Sequence, residues 1–335
     1  MSGVHEPAGG GDAPVPAAVP GSAPAFGSAP ARDPVSALDP ASVLDAAAVL
    51  DRASAFDALG AELAPGDGPV AFGGTLGPGE LMAAYRRGLF PLPAADVYAS
   101  AYNEAVYGDA VEAGQVPLLP GGEDPYALAW WSPDPRPVIA ADGVRIGSRL
   151  ARRLRNRSAW WTSADRAFGR VLENCAERRQ PAWLTEELMA ALTRLHALGA
   201  AHSGEVWEGE ELIGGVFGVA VGAVLSLDSM FHRRPDAARV AVADLGARFG
   251  AVGGRLLDVQ WDGPHVRSLG AQPMARSRYL AELAGATGAP GAVAGAGAVA
   301  GVGEAGGAGA VGGAGAGRRP AGLLPAEPLP VSRLG

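Results

Sequence analysis

Three stretches of the sequence hold residue types that can do chemistry. In Leu256-Leu257-Asp258-Val259-Gln260 an apolar strand places Asp258 and Gln260 on one face, because side chains two apart point the same way. A carboxylate and an amide on one buried face can orient an amine and accept its proton through a relay; the same pair also suits a structural carboxylate at a strand end. The second stretch is Ser148–Arg157, where Arg149, Arg152, Arg153, Arg155 and Arg157 follow Arg145 with no acid among them. Such cations repel one another even in a chain of net charge −8. Nucleic-acid phosphates would relieve that repulsion, and a solvated amphipathic face with Leu150 and Leu154 inward is the other reading. The third stretch is Leu225–Phe231 beside Gly214-Gly215-Val216-Phe217-Gly218, where glycines admit a ligand or another strand to close approach. Around it Val216, Leu225, Met230, Val242, Leu245 and Phe249 could line an apolar pocket or form ordinary core.

Other chemistries are excluded by what the sequence lacks. All 27 basic residues are Arg, so the lysine of a phosphate-cradling P-loop is missing, and the glycine spacing is not that of a dinucleotide fingerprint. The five His, at 5, 196, 202, 232 and 265, show no metal-ligand spacing, and the single Cys175 rules out a disulfide framework and a thiolate metal cluster. His202-Ser203 has no acidic third member at motif spacing, which speaks against a serine-hydrolase triad. No metal is expected. Trp130, Trp131 and Trp183 fit either base stacking or plain packing.

The elements that must position these residues follow from periodicity and breakers. Helices are predicted over 78–87, 148–157, 166–178, 186–198, 237–250 and 276–283. Strands are predicted over 137–139, 204–207, 211–219, 223–227 and 256–261, the second and third joined as an antiparallel pair by Glu208-Gly209-Glu210. Mixed helices and antiparallel strands indicate an α+β fold.

Composition limits how much of the 335 residues can take part. Gly 50 and Pro 28 place the chain near the roughly 25% level at which low-complexity segments become common. Residues 1–40 and 286–335 are Ala, Gly and Pro with few large apolar residues, and both are expected to be disordered tails, the second dispensable. Between about 93 and 128 an acidic stretch without a clear period is expected to be a flexible insertion in a small N-terminal domain over 41–135. The second domain is expected over 136–285. A secretory signal and a membrane-spanning apolar run are not visible, so a cytoplasmic location without a membrane partner is expected.

Together these stretches resemble one family, the leucyl/phenylalanyl-tRNA-protein transferases. The matching runs begin with Gly73-Gly74, Ala84-Tyr85-Arg86-Arg87-Gly88-Leu89-Phe90-Pro91, Trp130-Trp131-Ser132-Pro133-Asp134-Pro135-Arg136 and Trp183-Leu184-Thr185. They continue with Leu195-His196, Ala201–Trp207, Leu212–Val219, Ser229-Met230-Phe231, Leu257-Asp258-Val259-Gln260, His265 and Ser268-Leu269-Gly270-Ala271. The resemblance covers Val70 to Leu283, apart from the insertion. It implies an acetyltransferase-like (GNAT) second domain. It also implies a monomeric aminoacyltransferase that needs no cofactor. Such an enzyme moves Leu, Phe or, less well, Met from aminoacyl-tRNA to proteins with N-terminal Arg or Lys, marking them for degradation. Asp258 and Gln260 would then orient and deprotonate the acceptor amine, with Asp228 a third catalytic residue. Trp183 would stack on the terminal adenine of the tRNA, and the arginine helix would hold acceptor-stem phosphates. The apolar pocket would exclude β-branched side chains.

The sequence departs from the family pattern at three places. Asp228 stands where the family usually has Glu, Leu92 stands where a Trp commonly follows Phe-Pro, and Pro235-Asp236-Ala237-Ala238-Arg239 replaces an Asn-Ala-Ser-Lys run. Tyr98 or Tyr102 of the insertion could replace the missing Trp. Two other functions fit parts of the pattern: an acyl-CoA N-acetyltransferase, since Arg248–Gly254 loosely resembles a pyrophosphate turn, and a non-catalytic module binding tRNA or N-terminal Arg.

Overall fold

The computed structural model of the protein describes residues 54–60, 64–157, 159–177, 182–287, 324 and 327–334. The N-terminal extension over 1–40 and most of the C-terminal tail lie outside the described residues. Mixed α and β structure is found, as the sequence pattern predicts. The first sheet has the order β2-β4-β1-β3, with β1 (Pro69–Gly73), β2 (Phe90–Pro93), β3 (Leu118–Leu119) and β4 (Leu128–Trp131). The larger sheet has eight strands in the order β11-β5-β10-β9-β8-β7-β6-β12. Its members are β5 (Arg136–Ala140), β6 (Trp160–Ala164), β7 (Ala201–Glu208), β8 (Glu211–Val221), β9 (Val224–His232), β10 (Leu256–Asp258), β11 (Gln272–Met274) and β12 (Leu329–Pro330). The chain passes from one sheet to the other between Trp131 and Arg136.

Eight α-helices accompany the sheets among the described residues: α1 (Pro78–Arg86), α2 (Val97–Glu112), α3 (Ser148–Arg157), α4 (Phe168–Ala176), α5 (Glu186–Ala197), α6 (Ala237–Ala251), α7 (Pro264–Leu269) and α8 (Arg276–Thr287). Side-chain alternation along β8, β9 and β10 sorts the core into two layers. Phe217, Val219 and Val224 face a cluster that takes in α1, α4, α5, the first sheet and Tyr279 of α8. Val216, Leu225, Leu227 and Leu257 face the other cluster, built on α6 and on Leu150 and Leu154 of α3. The Ala-rich α6 lies close to the sheet: a Cβ at Gly214 would stand 2.6 Å from that of Ala237. At Gly214 the close approach is therefore made by the helix.

Two expectations are corrected. Residues 93–128 are not a featureless insertion, because they hold the 16-residue α2 and the short β3, which pairs in parallel with β1. Asp96 caps α2 by accepting from the Ala99 amide at 2.9 Å. Its apolar stripe is short, with only Tyr107, Ala110 and Val111 packed against the core near Phe72, while Val97, Tyr98, Tyr102 and Val106 are exposed. That is why periodicity does not reveal it.

The end of the C-terminal tail is likewise structured. Leu329 and Pro330 pair with Thr162 and Trp161 at the edge of the large sheet, and Leu324 and Val331 are buried in the α6 core. Arg333 pairs with the buried Asp244, which also holds Arg248 at 2.7 Å and accepts from Thr162 at 2.7 Å. Ending the chain before Leu324 removes this burial and reopens a strand edge. Urea unfolding should show a loss of about 2–4 kcal/mol; an unchanged midpoint would contradict the docking.

Candidate active site

The site is made by an irregularity in β9. Pairing with β8 runs Phe217↔Ser229 and then Gly218↔Leu227, so Asp228 is an extra residue, a β-bulge. The bulge needs glycine opposite: a Cβ on Gly218 would sit 2.1 Å from the Ser226 carbonyl oxygen. Beside it, β10 pairs in parallel with β9 only as far as Asp258↔Ser226. Two residues later Gln260 has φ of 61°, a left-handed conformation that ends the strand. β9 runs on to His232, so the two strands part at Asp228 and Gln260.

Asp258 lies at the floor of this junction and is fully buried. Arg136 of β5 donates to it twice, Nε to Oδ1 at 2.8 Å and Nη2 to Oδ2 at 2.7 Å. Oδ2 also accepts from Ser226 Oγ at 2.9 Å and from the Tyr279 hydroxyl at 2.9 Å, and Oδ1 from the Gln260 amide at 2.9 Å. Five hydrogen bonds on one carboxylate leave it little capacity to take another proton donor. The Arg136 guanidinium is sandwiched by the rings of Phe90 and Tyr279, 4.9 and 4.7 Å from their centroids. Burial works against its charge, but the Asp258 carboxylate more than offsets this and raises its pKa.

Asp228 is the open member. It is partly exposed, accepts from the Tyr85 hydroxyl of α1 at 2.9 Å and accepts from Gln260 Nε2. Gln260 Nε2 also donates to Ser226 Oγ at 3.2 Å. The structure therefore brings Asp258, Gln260 and Asp228 into one network, with Ser226, Tyr85, Tyr279 and Arg136 as members the sequence reading did not single out. Burial pushes the Asp228 carboxyl up to about 7, with Tyr85 and Gln260 pulling it down and the Asp258 charge adding to the rise. Burial, then the neighbouring carboxylates, raise the hydroxyls of Tyr85 and Tyr279, so both remain donors. Sequence alone hides the bulge, which depends on pairing, and hides Arg136, which lies 122 positions from its partner.

The six apolar residues read as a pocket lie on the α6 side of the sheet, opposite Asp258. Val216, Leu225, Val242, Leu245 and Phe249 are buried core there, and Met230 is only partly buried. The Met230 sulfur is 3.4 Å from His265 Nε2. Arg149, Arg152, Arg153 and Arg155 are exposed along α3, and the Arg157 side chain lies outside the described residues. A cavity of about 780 Å³ opens at the start of α3, lined by Arg145, Ser148, Arg149, Arg153, Arg239 and Ser268. Arg153 is paired there with Asp236 at 3.0 Å, and Arg239 donates to Ser268 Oγ at 2.8 Å. Trp183 is partly buried against the core cluster that includes α4 and α5. Tyr98 and Tyr102 are 82% and 67% exposed on α2, whereas Tyr107 is the residue of that helix that reaches Trp131.

A second polar cluster is separate from the first. Glu205 of β7, fully buried, accepts from Ser163 and Ser203 hydroxyls, both at 2.6 Å, and from the Ala167 amide at 3.3 Å. Burial raises its carboxyl to about 7 against those hydrogen bonds. The folded state thus holds a proton there that the unfolded chain releases near pH 4.3. Stability contributed by this proton is present at low pH and lost as pH rises through about 7. Glu205→Gln should remove on the order of 3 kcal/mol of the decline in unfolding free energy between pH 5 and 8. Parallel stability curves for the variant and the parent would contradict this.

A carboxyl raised toward neutrality and set beside an amide can exchange a proton with a bound group. The sequence profile of the leucyl/phenylalanyl-tRNA protein transferase family matches residues 138–284. Proteins named leucyl/phenylalanyl-tRNA–protein transferase are similar over most of their length. One from Xanthomonas euvesicatoria is 39% identical over 227 residues, 67% of this chain and 79% of that protein. One from Anaeromyxobacter sp. (strain K) is 39% identical over 232 residues, 68% of this chain and 87% of that protein. A solved Bacteroides thetaiotaomicron protein of unknown function aligns with a TM-score of 0.30 at 14% identity over 40% of this chain and 53% of that one, too little to classify the fold. The chain belongs to the leucyl/phenylalanyl-tRNA–protein transferase family, and so to the aminoacyltransferases.

Proposed function

We propose that the protein transfers Leu or Phe, and less well Met, from aminoacyl-tRNA to the α-amino group of proteins beginning with Arg or Lys. The observation that carries the mechanism is the partly exposed Asp228 carboxyl, held between Tyr85 and Gln260 and raised to about 7. An α-ammonium has a pKa of about 8 and is not a nucleophile until it loses its proton. A base titrating near 7 is still unprotonated in about half of the molecules at neutral pH and can accept the proton. Gln260 orients the amine by its amide, and Asp258 acts behind it, fixing Gln260 through the backbone amide and Ser226. One ammonium proton leaves through Asp228 to solvent; the amine nitrogen then bonds to the aminoacyl carbonyl carbon and gives its second proton to Asp228, the ester bond to the ribose breaks, and the ribose oxygen takes that second proton from Asp228. The ester is already activated, so positioning supplies most of the remaining rate and no cofactor is required.

The donor would lie along the arginine face of α3, where phosphate contacts are blind to sequence and so suit several tRNAs. Met230, the partly buried member of the apolar set, would meet the aminoacyl side chain. A parallel strand pair that parts beside the reacting groups supports a GNAT-like second domain starting near Arg136, preceded by a small domain on the first sheet. No helix among the described residues is long and apolar enough to cross a membrane. The cytoplasm, where aminoacyl-tRNA is made, is the proposed location.

Labelled Leu from Leu-tRNA should enter a peptide beginning with Arg and not one beginning with Ala, while acetyl-CoA serves neither. Labelling by acetyl-CoA alone would establish the acyl-CoA enzyme instead. Asp228→Asn should lower kcat about 100-fold or more, and the parent's kcat should fall as pH drops through about 7. A flat acid limb in the parent would remove Asp228 as the base. Changing Arg152 and Arg153 to Ala together should weaken tRNA binding and reduce its salt slope by about 2; an unchanged slope would take α3 out of the interface.

A further inference from the structure

Helix α2 turns its larger apolar side chains to solvent. Its inner face packs Tyr107, Ala110 and Val111 near Phe72, and Asn103 donates to the Tyr126 carbonyl at 3.0 Å. On the opposite face Tyr98 and Tyr102, four apart and so in one row, are 82% and 67% exposed, with Val97 and Val106 exposed at its flanks. With Leu118 of β3, these are five of the seven large apolar side chains that the described residues expose. Apolar surface gathered in this way marks contact with a partner.

The chemistry of that partner follows from charge and place. Residues 93–128 hold six carboxylates and no Arg, Lys or His, and Glu104, Asp109 and Glu112 are exposed. Asp109 and Glu112 stand in the last turn of α2, where the helix dipole disfavours carboxylates, so the stability of the helix does not account for them. Rings join this helix to the active site: Tyr107 meets Trp131 at 6.5 Å, Trp131 meets Trp261 at 5.1 Å, and Trp261 directly follows Gln260. Those contacts and the width of a helix, about 10 Å, put the tyrosine row within about seven extended residues of Gln260. Two substrates meet at Gln260 and Asp228 in the transferase reading. One is a polyphosphate, which an acidic helix without cations repels; the other is a polypeptide whose first residue is a cation. We propose that α2 is a docking surface for the acceptor polypeptide, where the tyrosines hold the residues that follow its N-terminal Arg or Lys and the carboxylates hold further cations among them. The proposal rests on the transferase reading above.

The test uses the full chain with Tyr98→Ser and Tyr102→Ser together, and a second variant with Glu104→Gln, Asp109→Asn and Glu112→Gln. Transfer from Leu-tRNA is measured to the dipeptide Arg-Ala and to two long peptides beginning with Arg, one with further Arg residues along it and one with none. Calorimetric binding of the long cationic peptide is measured beside it. The tyrosine variant should raise the KM and Kd of the long peptides about tenfold, with kcat within about twofold of the parent and the KM of Arg-Ala and of Leu-tRNA unmoved. The carboxylate variant should raise the KM of the cationic peptide alone and flatten its dependence on salt. A cationic-peptide KM equal to the parent's in either variant, or an equal change for Arg-Ala, would overturn the proposal. So would a raised Leu-tRNA KM, which would make the tyrosines a donor contact, or a parent dimer that the tyrosine variant dissociates, which would make the face a contact between copies. Peptide binding that depends on Tyr98 and Tyr102 in a protein that transfers nothing would keep the docking surface and overturn the transferase reading, whereas no binding by the parent would overturn the surface.

Discussion

Arg136 and Asp258 are both completely inside the protein, and neither charge could be there without the other. Removing one partner of such a pair leaves an uncompensated buried charge, a loss of about 3–5 kcal/mol. The pair joins β5, the first strand of the larger sheet in chain order, to the neighbouring β10, and it gathers Ser226 of β9 and Tyr279 of α8 onto the same carboxylate. Phe90 from the first sheet closes the guanidinium from the other side. Elements from both sheets are thus referred to one fixed point, and the functional side chains take their positions from it.

The same pair divides labour between two carboxyls. Asp258 has its oxygens occupied by five donors and serves as the anchor. Asp228, two residues along β9 from Ser226, is lifted out of the ladder by a bulge that Gly218 alone permits, and it reaches the open side. Its two donors, Tyr85 and Gln260, come from α1 and from the left-handed turn after β10. Strain of that kind is held only where surrounding contacts enforce it, and here the Gln260 amide is bonded to Asp258 itself.

How much of this was legible in the sequence depended on the range of the interaction. Helices α3 and α5 and the β7–β8 hairpin are readable from local apolar spacing and breakers, and α6 from its Ala-rich composition. Asp258 and Gln260 both contact Ser226, but not through strand alternation: the strand ends at Asp258 and Gln260 is turned by its positive φ. The bulge at Asp228 was hidden because register is a property of two strands. The partners Arg136 and Tyr279 were hidden because nothing local marks a cation or a phenol that will be buried. Helix α2 was missed because its apolar stripe is short, and β12 because its few ordering residues follow a long Ala/Gly run whose composition speaks for disorder. The apolar set around Val216 was read by type and not by face. Alternation along β8 and β9 puts it on the α6 side, where five of its six members are core.

The chemistry turns on whether Asp228 carries an exchangeable proton near neutrality. Carbon-13 NMR titration of protein labelled at the Asp side-chain carboxyl, with the Asp228 signal assigned by difference against Asp228→Asn, reads this directly. The structure predicts an Asp228 midpoint at about 7. A midpoint near the ordinary aspartate value of about 4 would contradict it, because the carboxyl would then be too weak a base to draw a proton from the acceptor amine.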